Sequence, residues 1–247
     1  MAKLPLIGSD QFRPLGFSTG SLYRFMDSYS TEAIDLLAQQ GLETIEFMCA
    51  SVNDLHRLPA LIGRLREFEV KSIHMPLGIQ FDNTSAVHDV LKRLEEFYNE
   101  IGASLAVIHP ESVDDWNIFD GLEMKFAIEN LDNRKPRWFG FEQFEVFLAK
   151  HPDWSMVLDL NHCFTYDDKA LRAKRYIERF GDRIAEIHLS GCDSEKYHCS
   201  LYVSEQKEIV DCLPQINCPI IIESVFYVNR GPELEIDFIK ACQNHLK

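Results

Sequence analysis

"MVLDLNH", residues 156–162, is an apolar run that stops at a carboxylate and an imidazole, Asp159 and His162. Met156, Val157 and Leu158 read as a strand covered on both faces, as strands of parallel sheets are. A carboxylate buried unpaired at the end of such a strand is costly. A compensating partner for Asp159 is therefore expected nearby.

The same cadence recurs from one end of the chain to the other. Apolar runs at 15–20, 43–49, 70–76, 105–110, 125–131, 155–162, 184–191 and 219–226 read as strands. Amphipathic segments at 31–40, 55–69, 85–101, 141–150, 168–180, 204–213 and 233–246 lie between and after them; Ser30 is an expected N-cap and Gly41 an expected C-cap. Strand followed by helix, eight times in 247 residues, predicts a closed parallel (β/α)8 TIM barrel, one domain spanning 1–247. An open doubly wound sheet is the rival, because sequence does not show closure. The fourth repeat is irregular: "PESVDDWNIFDGLEM" (110–124) is acidic and short, so a shortened or irregular fourth helix is expected.

Composition narrows the function. A formal net charge of −14 opposes tight non-specific binding to DNA or to anionic lipid, which needs clustered cations. No run approaches the ~18 apolar residues of a membrane span, and the opening "MAKLPLIGSDQF" is too short in apolar residues for a secretory signal. A cytoplasmic protein with no membrane partner is expected. Cysteines at 49, 163, 192, 199, 212, 218 and 242 form no CxxC pair, which suits a reducing compartment; they are read as packing residues.

Laid side by side, the strands share a polar ending. His74 ends the third, His109 the fourth, Glu129 the fifth, Asp159 the sixth with His162 just beyond, His188 the seventh and Glu223 the eighth. In a (β/α)8 barrel these ends converge on one mouth, where active sites of the fold lie. One such residue is an ordinary rim group, whereas six strands in succession, with no Lys, Arg, Ser or Thr among them, point to a divalent metal. Histidine with Asp/Glu suits zinc or manganese alike.

"IHMP", "VIHPES", "AIENL", "LDLNHCF", "IHLSGCD" and "IIES" together resemble the successive strand ends of the xylose-isomerase-like superfamily, also called AP endonuclease family 2, and most of all those of endonuclease IV. The resemblance runs through nearly the whole chain. It implies a multinuclear centre, in which His74, His109 and Glu129 hold one ion. Glu129 then bridges to a second ion held with Asp159, His188 and Glu223, and His162 and His198 belong to a third. In "SEKYHCS" Lys196 stands where endonuclease IV has an Asp, so two ions are expected and the third site is in question. The superfamily's sugar epimerases use one metal on the Glu129, Asp159, His188 and Glu223 positions, with His162 near substrate. They also carry an Arg shortly after the strand-seven His, and none follows in "HLSGCDSEK".

Two ions about 3.5–4 Å apart suit phosphoester hydrolysis. A sugar or sugar-phosphate isomerase or epimerase is the alternative, with Glu129 or Glu223 as base and His162 as a further catalytic candidate. A barrel that binds metal or ligand without catalysis is a third reading. Residues 110–124 carry Glu111, Asp114, Asp115, Asp120 and Glu123 and no Lys or Arg, which disfavours duplex DNA and favours a small phosphorylated or sugar-like substrate. In "DNRKPRWFG", Arg134, Lys135, Arg137 and Trp138 are candidate substrate contacts, as is Lys196, although a solvated loop with Trp138 tucked onto the helix layer is the simpler reading. Glu46 has a strand phase that points it into the barrel as a supporting or basic residue. Glu186, two residues before His188 and hence on its side of the strand, has a phase that also points it into the barrel, with a misassigned phase as the alternative.

Overall fold

Short apolar runs bounded by turn residues become strands wherever both faces are covered, and here eight of them do. The computed structural model describes residues 3–5, 12–135, 137–138, 140–166, 169–193 and 198–244. A short β1 (Lys3–Pro5) precedes β2 (Phe12–Ser18), β3 (Thr44–Met48), β4 (Val70–His74), β5 (Leu105–Ile108), β6 (Phe126–Glu129), β7 (Ser155–Asp159), β8 (Ile184–Leu189) and β9 (Ile220–Ile222). Strands β2 to β9 pair in chain order, all parallel, and β9 returns to β2 through Leu15–Ile220, Gly16–Ile221 and Phe17–Ile222. The sheet is therefore the closed barrel that the repeats predict, and the open sheet is excluded. β1 has no counterpart among the expected strands; it adds antiparallel to β2, with Lys3 opposite Pro14. At the β2–β3 seam, a Cβ on Gly16 would lie 2.2 Å from the carbonyl oxygen of Thr44, so only glycine fits.

The helices cover the outside. α1 (Thr31–Ala38) starts where the Ser30 hydroxyl accepts the N–H of Ala33 at 3.1 Å. α2 (Ile62–Leu65) is a single turn, and α3 (Ser85–Ile101) ends at Gly102 in the left-handed region. α4 (Phe141–Lys150), a one-turn α5 (Leu160–Phe164), α6 (Lys169–Phe180), α7 (Leu201–Ser204), α8 (Lys207–Val210) and α9 (Gly231–Asn244) follow. Two segments differ from expectation. Residues 55–69 are mostly a 3₁₀ stretch, Val52–Ala60, followed by α2, because Pro59 lacks the N–H that a continuous helix needs. Residues 204–213 are broken at Glu205, whose φ of 55° ends α7 before α8 begins.

The fourth crossover is irregular, as expected: two 3₁₀ turns, Pro110–Ser112 and Trp116–Phe119, stand where a helix would be. Aromatic rings fill the gap. Trp116 packs at 5.7 Å from Trp138, 5.4 Å from Trp154 and 4.3 Å from Phe147.

Inside the barrel, Leu105, Val107, Ala127 and Val157 form a small buried layer. Strand periodicity then sends His109, Glu129 and Asp159, each two residues beyond a member of that layer, toward the mouth on the same inner face. β8 joins them by an irregularity. Its pairing steps from Met156–Ile184 to Val157–Glu186, leaving Ala185 without a partner, and this bulge turns Glu186 and His188 inward.

Candidate metal centre

Glu129 stands at the middle of the mouth. Its Oε2 lies 3.4 Å from His74 Nε2, 3.3 Å from His109 Nε2 and 3.6 Å from His188 Nδ1, and its Oε1 lies 3.1 Å from His162 Nδ1. Three overlapping sets of donors result: His74, His109 and Glu129; Glu129, Asp159, His188 and Glu223; and Asp159, His162 and His198. Within each set the donor atoms lie within 4.8 Å of one another. All eight residues expected from the sequence are gathered, and Glu129 belongs to two sets. Asp159 also belongs to two, so it supplies the third set with a carboxylate.

Most of the imidazoles are held by one nitrogen and present the other. His74 donates Nδ1–H to the carbonyl of Met75 at 2.9 Å, which leaves Nε2 facing Glu129. His162 donates Nδ1–H to the carbonyl of Asn130 at 2.7 Å, and His109 Nδ1 lies 3.6 Å from Glu111. This is the arrangement that fixes the tautomer of a metal-binding histidine. Asn130 also braces β7: it donates to the carbonyl of Asp159 at 2.9 Å and accepts that residue's N–H at 2.8 Å.

Whether a divalent ion fits is tested by atoms that lack partners. Asp159 Oδ1 accepts the N–H of His162 at 2.7 Å and caps α5, but Oδ2, buried, has no hydrogen bond. His188 Nδ1, also buried, has none either. Both belong to the set shared with Glu129 and Glu223, and a cation between them satisfies both at once. The mixed N/O donor set suits zinc or manganese.

The electrostatics agree. Burial opposes the charged form of His109, yet Glu129 and Glu111 outweigh it and hold the pKa up at about 10. For His162, burial is likewise outweighed, by Asp159 and Glu129, and the pKa is about 9. Burial pushes Asp159 up to about 6, and it pushes His198 down to about 4, so that imidazole is neutral near pH 7. Glu129 is held well below the usual carboxylate range by His109 and His188 despite its burial. At His109 and His162 the cluster holds positive charge in the form of protons.

The loop that carries His198 is tied down. Val225 donates its N–H to the carbonyl of His198 at 2.7 Å, and Gly191 and Cys199 exchange N–H···O bonds of 2.8 and 3.1 Å. Buried Glu235 on α9 accepts the N–H groups of Leu201 at 2.8 Å and Tyr202 at 3.1 Å, and the hydroxyl of Ser224 beside Glu223.

The basic stretch after β6 is differently engaged. Arg134 makes a two-bond contact with Asp132, at 2.7 Å each. Lys135 pairs with Glu111 at 2.6 Å, and Arg137 reaches the carbonyl of Glu111 at 2.7 Å. Trp138, at φ of 63°, packs its ring against Trp116, Phe144 and Phe147, in keeping with the simpler reading of an aromatic tucked onto the helix layer. Lys196 lies outside the described residues. Sequence reasoning missed Glu111, whose only signal is its place two residues after His109. Glu186, which the sequence places on the side of His188, faces that ring at 3.4 Å.

No family model matches the sequence, and no curated protein matches it. Solved structures do match. Endonuclease IV from Thermus thermophilus superposes with a TM-score of 0.69 at 12% identity, covering 94% of this chain and 99% of that one. The 3-keto-D-glucoside 4-epimerase from E. coli gives 0.61 at 10%, covering 94% and 99%. D-allulose 3-epimerase from Methylomonas sp., in complex with D-allulose, gives 0.60 at 13%, covering 94% and 96%. The chain thus has the barrel fold of endonuclease IV and the sugar epimerases.

Proposed function

We propose that this barrel is a divalent-metal-dependent enzyme that hydrolyses a phosphoester in a small phosphorylated or sugar-like substrate. One observation carries the reading: Glu129 is shared between the set of His74 and His109 and the set of Asp159, His188 and Glu223. A shared carboxylate holds two ions at a fixed separation. Two such ions, when bound, supply an acidified water and neutralise charge on the attacked and leaving oxygens. The chain's own residues do the rest. His74, His109 and Glu129 hold one position, and Asp159, His188 and Glu223 complete the other. His198, neutral near pH 7, is available to ligate near His162.

The rim favours a small substrate over a duplex. Lys135 and Arg137 are paired with Glu111 and Asp114, so the loop offers a phosphate backbone little unpaired positive charge. A second reading is a one-metal sugar isomerase or epimerase, because Glu129, Asp159, His188 and Glu223 form a four-residue set by themselves.

Elemental analysis of the untagged protein, wild type and His109→Ala, separates the two. The two-ion reading expects two ions per chain, a loss of about one in the variant, and loss of hydrolysis of a chromogenic phosphodiester. One ion, retained in His109→Ala, overturns it and moves the search to sugar isomers.

A further inference from the structure

One pleat below the candidate centre lies a second cluster, Glu46, Glu186 and His188, with relative exposures of 0%, 1% and 0%. His188 separates the two clusters. Its Nδ1 faces the mouth, 3.3 Å from Glu223 and 3.6 Å from Glu129, with no hydrogen bond. Its Nε2 faces down, 3.4 Å from Glu186 Oε1 and 3.3 Å from Glu46 Oε2. Glu186 Oε1 also accepts the Ser72 hydroxyl at 3.2 Å, whereas neither oxygen of Glu46 has a hydrogen-bond partner.

The other anchored imidazoles rest on weaker supports. Carbonyls hold His74 and His162, and a partly exposed carboxylate faces His109. The carboxylates near His162, Glu129 and Asp159, are themselves members of the donor sets, whereas the two fully buried carboxylates behind His188 belong to none of the sets at the mouth. A carboxylate that takes the far N–H of a ligating imidazole fixes its tautomer and makes the near nitrogen a stronger donor. In a buried setting the second negative charge is poorly screened and acts on the same ring. Two carboxylates within 4.8 Å of each other and out of water are held only by positive charge, on the His188 ring between them and the mouth or on a metal above that ring.

We propose that Glu46 and Glu186 are positioning residues, which direct the proton of His188 to Nε2 and its Nδ1 lone pair to the metal shared with Glu129, Asp159 and Glu223. The inference rests on the metal-dependent reading above. It goes further in making the affinity of one particular ion depend on carboxylates that never touch it.

The test uses the full-length zinc-loaded protein and the isosteric variants Glu46→Gln and Glu186→Gln. Competition with a chromophoric chelator measures the affinity of each ion, and thermal unfolding of the metal-free proteins measures the packing role. Expected is a loss of about 10–100-fold in affinity for one ion, with the His74–His109 ion changed less than threefold. A positioning role predicts that the loss of affinity stays confined to that one ion, whatever the shift in melting temperature of the metal-free variants, since each replaced carboxylate also faces the His188 ring. Imidazole ¹⁵N NMR of the zinc form should show His188 protonated at Nε2.

Unchanged affinities in both variants overturn the proposal. So does a parallel fall in both affinities together with the melting temperature of the metal-free protein, which marks a packing role. An additional wild-type ion that Glu46→Gln abolishes also overturns it, because the pair would then be ligands. A wild-type protein that binds no metal brings down the functional reading first and this inference with it; failure in the variants alone brings down only the inference.

Discussion

Asp159 meets two demands with its two oxygens. Oδ1 caps α5 through the N–H of His162, and Oδ2, 3.5 Å from His162 Nδ1, is left without a hydrogen bond. Asparagine caps a helix as well as aspartate but brings no charge to a metal. Asp159→Asn should therefore fold with near wild-type stability as the metal-free protein and retain one ion fewer by elemental analysis. Asp132 offers a contrast, since its chemistry is spent on structure. Burial opposes its charge, but the bonds from Arg134 prevail and hold its pKa below the usual range. Such a group stabilises the fold above its unfolded pKa of about 3.9, and that contribution disappears as pH falls through the lower folded value. Asp132→Asn should cost about 1–2 kcal/mol near neutrality, discounted for the half-exposed arginine, and the difference from wild type should shrink below pH ~4 in urea titrations.

At the scale of elements, the mouth is held by loops that cross between strand ends. Gly191 is one fastening point: a Cβ there would lie 2.6 Å from Ser204 Oγ and 2.9 Å from the Cys199 carbonyl. Gly191→Ala should push away the loop bearing His198 and cost about 1–3 kcal/mol, measurable by denaturant unfolding. These fastenings mark the limit of what sequence conveys. Strand runs and their polar endings are legible because burial on both faces forces apolar residues and any exception stands out, as at Asp159. Helix 85–101 is legible from its period and from Gly102. Glu186 is legible only by its spacing of two from His188, since the bulge at Ala185 that turns both inward has no compositional signature. Glu111 is not legible, because its pairing with Lys135 joins two different crossovers. The 55–69 segment has helical periodicity, but Pro59 overrides it locally.

For the whole molecule, closure of the barrel brings the carboxylates and imidazoles of separate strands into one volume. A protein built this way should be stabilised by what it binds. With free metal at 1,000 times its Kd, each ion contributes about 4 kcal/mol, and at about 2–4 °C per kcal/mol chelation should lower the Tm by roughly 8–16 °C per ion lost. An unchanged Tm on chelation would count against tight metal binding. A different property follows from the aromatic packing at the fourth crossover. The chain has three tryptophans, and all of them, Trp116, Trp138 and Trp154, stand in that single cluster, with Trp116 ring centroids 5.4 and 5.7 Å from its two partners. Their emission and their coupled near-ultraviolet dichroism form one optical signal that belongs to one sector of the barrel wall. Intrinsic fluorescence will thus register the loosening of that sector and remain largely blind to the mouth, so an optical melt and a metal-release curve followed on the same sample are two independent clocks.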